Sequence, residues 1–146
     1  MLVSGRLIVI GLLGVTAVFA VVLVYMQFFA FYEETDAAAV EIAGQSYRVT
    51  EWQGIDAGSS PLKLRACFRI EGTVDAPVAA DPTPLVAPYW FDCFDAAAIA
   101  GALEAGEATA YLAAAEERHG ADRMVAVFPD GRAYMWRQLT AEFANQ

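Results

Sequence analysis

Two cysteines, Cys67 and Cys93, carry the widest chemical range in this chain. Such a pair could close a disulfide, hold a soft metal or run thiol exchange. Exchange pairs usually stand as Cys-x-x-Cys, and that spacing is absent. A copper-type site needs more soft ligands, and the same part of the chain supplies His119, Met124 and Met135. The simplest chemistry is one disulfide closing a loop of about 26 residues, worth roughly 3–3.5 kcal/mol in the chain-entropy picture. It requires an oxidising compartment.

The other chemically able residues have structural readings beside their functional ones. Asp92 and Asp95 could do acid–base work, yet no nucleophile or companion base accompanies them, and Asp95 suits a helix N-cap. Arg65 and Arg69 share one strand face, where they could dock an anion or an acidic partner, or pair with nearby acids. His119 lies in a polar stretch, Glu116-Glu117-Arg118-His119-Gly120, and reads as solvated. Trp90, within Tyr89-Trp90-Phe91, is either core or an interface anchor. No phosphate-cradling glycine loop and no Gly-x-Ser-x-Gly elbow occur. We therefore expect no enzyme, no catalytic residue, no cofactor and no resident metal.

The elements that position these residues follow from composition. The 146 residues are 58% hydrophobic, with 9 Lys+Arg against 18 Asp+Glu and a net charge of −9. Soluble domains usually run near 45–50% apolar. So acidic a chain lacks the basic stripe that phosphate contacts need, which excludes nucleic acid as a partner. Much of the apolar excess lies in Leu7–Tyr32, a run of 26 uncharged residues. About 20 suffice to cross a bilayer, and a secretory signal core is usually about 7–15. A retained single-pass helix over residues 7–32 is expected. Arg6 precedes it and every acidic residue follows it. Residues 1–6 are then cytoplasmic and the remainder lies on the outer side of the membrane, in a bacterium the periplasm. Tyr25, Phe28, Phe29, Phe31 and Tyr32 would form an interfacial belt, and Gly11 and Gly14 could admit a neighbouring helix.

Beyond the span we expect a tether over residues 33–39 and an α+β domain over 40–146. Val40–Trp52 has weak strand character, and Gly54–Pro61 reads as a turn-rich loop. Leu62–Ile70 alternates as a half-buried strand. Glu71–Pro88 is a long proline loop, and Ala96–Ala105 a short helix between Asp95 and Gly106. Ala108–Ala115 fits either helix or strand. Arg123–Phe128 and Arg132–Leu139 form a hairpin around Pro129-Asp130-Gly131. With Asp130-Gly131 as a two-residue turn, Met124, Phe128 and Met135 share one face, while Val125, Val127, Tyr134 and Trp136 share the other. Both faces are apolar and need cover, from the proline loop, the helix or a partner.

Four stretches carry a resemblance: Tyr25-Met26-Gln27 through Phe31-Tyr32-Glu33-Glu34, Asp56 through Ser59-Ser60-Pro61 to Arg65-Ala66-Cys67-Phe68, Trp90-Phe91-Asp92-Cys93-Phe94-Asp95, and Asp122-Arg123 through Pro129-Asp130-Gly131-Arg132 to Trp136. Together they resemble a family of alphaproteobacterial single-pass membrane proteins of unknown function. Members sometimes carry the label histidine kinase. The absence of an ATP-binding glycine motif speaks against that label here. The resemblance implies the location and the paired cysteines, and assigns no catalytic residue.

These features lead to a non-catalytic accessory or assembly subunit of an inner-membrane complex. A respiratory complex, specifically cytochrome c oxidase, is the expected host, with the bilayer itself and a basic cytochrome c as further partners. Contacts would fall on Gly11, Gly14, Phe28, Tyr32, Arg65, Arg69, Trp90, Met124, Phe128 and Met135. Two alternatives compete. One is a periplasmic binding or sensing module with a cleft lined by Trp90, Arg65 and Arg69. The other is a copper-handling oxidase assembly factor using Met124, Met135, His119 and reduced cysteines.

Overall fold

In the computed structural model, residues 3–146 are described. Residues 1 and 2 of the expected cytoplasmic segment lie outside them. The chain divides into two compact units, one ending at Tyr32 and the other spanning Glu33–Gln146.

The first unit is α1, Gly5–Phe28, a helix of 24 residues. At 1.5 Å per residue it is about 36 Å long, enough to cross a bilayer. None of its side chains is buried within the protein. Its mid-helix hydroxyl, Thr16 Oγ1, donates to the Leu12 carbonyl at 2.9 Å, so that donor is satisfied within the helix. The helix stops four residues short of Tyr32.

The second unit is built on antiparallel strands in the order β1-β3-β4-β7-β6-β5, with β2 paired to β3. The strands are β1 (Glu33–Thr35), β2 (Ala39–Ile42), β3 (Gln45–Asp56), β4 (Arg65–Ile70), β5 (Thr109–Arg118), β6 (Ala121–Val127) and β7 (Arg132–Leu139). Helix α2 (Ala96–Ala105) precedes β5, and α3 (Ala141–Ala144) closes the chain. An apolar helix followed by a disulfide-linked α+β domain is therefore the architecture.

Several elements differ from expectation. Glu33–Thr35, read as tether, is a strand paired with β3. Val40–Trp52 is a hairpin turning at Ala43-Gly44, and its second strand runs on through Gly54 to Asp56. A bulge between Thr50 and Gln53, with Glu51 at φ 54°, bends β3. Its first half pairs with β2 and its second with β1. Ala108–Ala115 resolves as strand β5, tertiary pairing having overridden its alanine content.

Strand β4 is central and buried on both sides, not half-buried. Leu64, Ala66, Phe68 and Ile70 enter one core with Val40, Ile42, Val49, Val125 and Met135. Cys67 enters a second core with Phe94, Ile99, Met124 and Trp136. The first core is closed by the β2–β3 hairpin, the second by α2 and the proline loop. Helix α2 forms because Asp95 Oδ1 accepts from the Ala98 N–H at 3.0 Å, and it ends on Gly106 in the left-handed region at φ 75°.

The hairpin register differs by one residue on one strand from that expected. Val127 pairs with Ala133, Val125 with Met135 and Met124 with Trp136. Met124 and Met135 thus lie on opposite faces. Proline explains it. In a two-residue Asp130-Gly131 turn, Pro129 would stand opposite Arg132 with no N–H to give the ladder, whereas its φ near −65° suits the first central position of a type I turn. The chain instead makes a three-residue loop. The Gly131 N–H donates to the Phe128 carbonyl at 3.0 Å, with Gly131 at φ 93°. Asp130 Oδ1 accepts from the Arg132 N–H at 3.1 Å.

Candidate functional site

The expected site residues scatter through the fold. Cys67 and Cys93 form the disulfide, with Cα atoms 6.3 Å apart, and tie β4 to the segment entering α2. Met124 and Met135 are both buried and separated by the sheet. They form no shared metal site. Among the described residues no group of three or more His, Cys, Asp or Glu is placed to hold a metal. His119 packs edge-on against Phe143, ring centres 5.2 Å apart.

Arg65 and Arg69 do not form one docking face. Because β4 is central, Arg65 is buried. Its guanidinium donates to the carbonyls of Leu62 and Leu64 at 2.6 Å each, Leu85 at 2.9 Å and Val86 at 3.0 Å. It lies 5.7 Å from the Phe94 ring centre. Arg65 is a clamp on the proline loop. Arg69, nearer the strand end, pairs with Glu51 at 3.2 Å and donates to the Asp130 carbonyl at 2.8 Å. Trp90 is half-buried, edge-on to Phe91 at 6.3 Å, and lines a small cleft with Trp52 and Gly54. Arg69 lines a different one beside Tyr134, and Arg65 lines neither. Phe128 is half-buried against Tyr134 at 5.6 Å, with the Arg132 guanidinium 4.5 Å from its ring centre. Gly11 and Gly14 sit on α1, where an added Cβ would meet nothing within 4 Å. Phe28 ends that helix, and Tyr32 ends its unit.

One concave feature is not announced by the sequence. A cleft of about 460 Å³ opens between the proline loop, one end of the sheet and α3. That volume falls within the range of about 300–1,000 Å³ usual for ligand sites. Leu62, Val78, Leu85, Leu112, Met124 and Leu139 supply aliphatic walls, and Ala141 and Ala144 the α3 side. Its polar lining is Asp81, Thr83, Asp122 and Gln138, with no lysine, arginine or histidine.

Three sets of hydrogen bonds hold the cleft in shape. The Ala79 N–H donates to the Ala110 carbonyl at 2.9 Å and the Leu112 N–H to the Pro77 carbonyl at 3.0 Å, laying the loop along the β5 edge. The Gln138 carboxamide accepts from the Thr83 N–H at 2.7 Å and donates to the Asp81 carbonyl at 2.8 Å. It also accepts from Trp136 Nε1 at 3.0 Å, joining the loop to the second core. Asp122 Oδ1 accepts from the Glu116 N–H at 2.8 Å and so fixes the turn beside the cleft.

A second missed feature is a charged cluster at the other sheet face. Arg123 and Arg137 stand directly opposite on β6 and β7, and both are buried. Like charges so placed repel. Glu117 bridges them, Oε1 to Arg123 Nε and Oε2 to Arg137 Nε, each at 2.8 Å. Asp56 takes the Arg137 Nη1 at 3.2 Å. Burial opposes ionisation of Glu117, but the Arg137 hydrogen bond and the two guanidinium charges outweigh it. Its carboxyl is held below the ordinary 4.5. Glu117 reaches this position because β5 is irregular between Ala114 and Arg118, with Glu116 at φ 44°. No period in the sequence signals that inversion. The cluster's acids are tied into ion pairs, which suits a structural role better than acid–base work.

Neither the curated proteins nor the solved structures contain a match to the chain. A protein-family model matches residues 35–145, nearly the whole second unit. By that match the chain belongs to DUF6446, a family of unknown function.

Proposed function

We propose that this chain is a non-catalytic accessory or assembly subunit, anchored by α1 in a bacterial inner membrane, whose folded domain docks a partner from the periplasmic side. The observation that carries this reading is the open aliphatic cleft on a domain attached to an apolar helix. Several of the charged groups suited to chemistry are instead engaged in holding the fold together: Asp95 caps α2, Glu117 and Asp56 neutralise arginines, and Arg65 binds carbonyls. The orientation rests on Arg6 before the helix and acids after it, and on the disulfide, which needs an oxidising compartment.

The alphaproteobacterial resemblance adds a respiratory host, cytochrome c oxidase being the specific expectation. The acidic exterior would steer a basic cytochrome c toward that host without holding it tightly. The test is affinity purification of the tagged full-length chain from native membranes in mild detergent. A stoichiometric integral membrane complex should accompany it. Recovery of the chain alone would overturn the reading, and recovery with a non-respiratory complex would overturn the choice of host.

A further inference from the structure

Exposed aliphatic side chains in an acidic domain are the features that a partner would cover. Val78 is 67% exposed and Leu139 43% exposed, and both line the cleft. A small molecule seated inside would leave these rim groups in water, whereas a chain segment laid across the opening would bury them.

Charge narrows the partner. The domain spends much of its positive charge internally: Arg123 and Arg137 on Glu117 and Asp56, Arg69 on Glu51, and Arg132 on Asp130. Arg65 donates to backbone carbonyls inside the fold. What faces outward is predominantly acid. At the cleft the charged lining is Asp81 and Asp122 alone. Asp122 gives one carboxylate oxygen to the Glu116 N–H, which holds its side chain in place at the cleft.

We infer that this cleft takes an extended or helical peptide segment of a partner protein, with an aliphatic or aromatic anchor side chain flanked by lysine or arginine. The anchor would enter between Leu112, Met124 and Leu139, and the flanking cations would lie toward Asp81 and Asp122. Apolar burial supplies affinity, and the carboxylates select against acidic segments. This rests on the accessory-subunit reading and specifies the chemistry of the segment that it docks.

The full-length chain in phosphatidylcholine nanodiscs provides the test, because a zwitterionic bilayer does not itself attract a basic peptide. The probe is a fluorescein-labelled synthetic peptide with a Leu-Phe-Leu centre between lysine pairs. Two comparison peptides replace the lysines by glutamate or the centre by alanine. Saturable binding of the first should weaken at least about tenfold in each comparison peptide and in the variant Leu139→Lys. Val78→Lys, at a highly exposed position, serves as a second variant if Leu139→Lys unfolds. No saturable binding up to about 1 mM, equal binding of the lysine and glutamate peptides, or binding unchanged by both variants would overturn the inference. So would a small amphiphile retained in the cleft by native mass spectrometry of the purified chain. If peptide binding fails while the membrane complex still co-purifies, the accessory-subunit reading stands and this inference falls. If the chain purifies alone but binds the peptide, that reading falls instead.

Discussion

Replacing Glu117 by glutamine tests the packing logic of the sheet. The change keeps size and shape, and removes one negative charge from between two buried arginines. Arg123 and Arg137 occupy directly opposite positions on neighbouring strands, where side chains stand about 5 Å apart. At an effective dielectric near 20, two unit charges at that distance repel by about 3 kcal/mol. Breaking a buried ion pair generally costs about 3–5 kcal/mol. Asp56 remains to compensate Arg137, and the Glu117 side chain is 30% exposed, so the low end of that range applies. We expect a loss of about 3 kcal/mol, or a fall in Tm of roughly 12 °C for a domain of this size. The assay is thermal unfolding of the full chain in detergent, followed by near-ultraviolet circular dichroism. In the Arg123→Met, Arg137→Met background the same substitution should cost less than about 1 kcal/mol, because the charges it balanced are gone.

The pH dependence gives an independent check. The folded carboxyl lies below its ordinary value, so its contribution is complete above about pH 4.5 and is lost as pH falls through the folded value. Glu117→Gln should therefore flatten the acid limb of the stability curve while lowering the plateau at neutral pH. An equal Tm for the variant and the native chain at pH 7, or an equally large loss in the double-methionine background, would refute the reasoning.

Three further outcomes follow from other contacts. Reducing the Cys67–Cys93 bridge, or replacing Cys93 by serine, should destabilise the domain by roughly 3 kcal/mol, read as a lower Tm with reductant present. Arg65→Met removes four carbonyl contacts and should release the proline loop, so that limited proteolysis cuts between residues 78 and 88 well before the sheet unfolds. Gly131→Ala forces φ 93° on a residue with a Cβ, which would sit 3.4 Å from the Ile70 carbonyl oxygen; a stability loss of about 1–2 kcal/mol by denaturant titration is expected.

Features written in short stretches were legible before folding. Asp95 and Gly106 bracket α2 as capping chemistry requires, and the two cysteines meet as paired. The hairpin was legible in place but not in register, because the turn signal of Asp130-Gly131 is altered by Pro129 before it. That one-residue difference separated Met124 from Met135 and resolved the question of the second apolar face: α2 and the proline loop cover one side, the β2–β3 hairpin the other. Alternation in β4 identified a strand but not its neighbours, and centrality, not pattern, buries Arg65. The cleft was invisible because its walls come from Leu62, the loop at 78–85, Leu112, Met124 and the chain end, which no local period joins. The Glu117 cluster was hidden by a bulge at a non-glycine residue, which reverses the strand's facing without a composition signal.

The central claim is that this chain works as a subunit of a membrane complex. It is tested most directly by the molar ratio of co-purified chains. Tagged at its C-terminus, extracted from native membranes in mild detergent and quantified by mass spectrometry, the chain should be accompanied by integral membrane subunits at a fixed, near-integral ratio. That ratio should persist through size-exclusion chromatography and fall in Leu139→Lys. A chain that elutes alone, or with partners whose ratio drifts with dilution in native and variant alike, would contradict it.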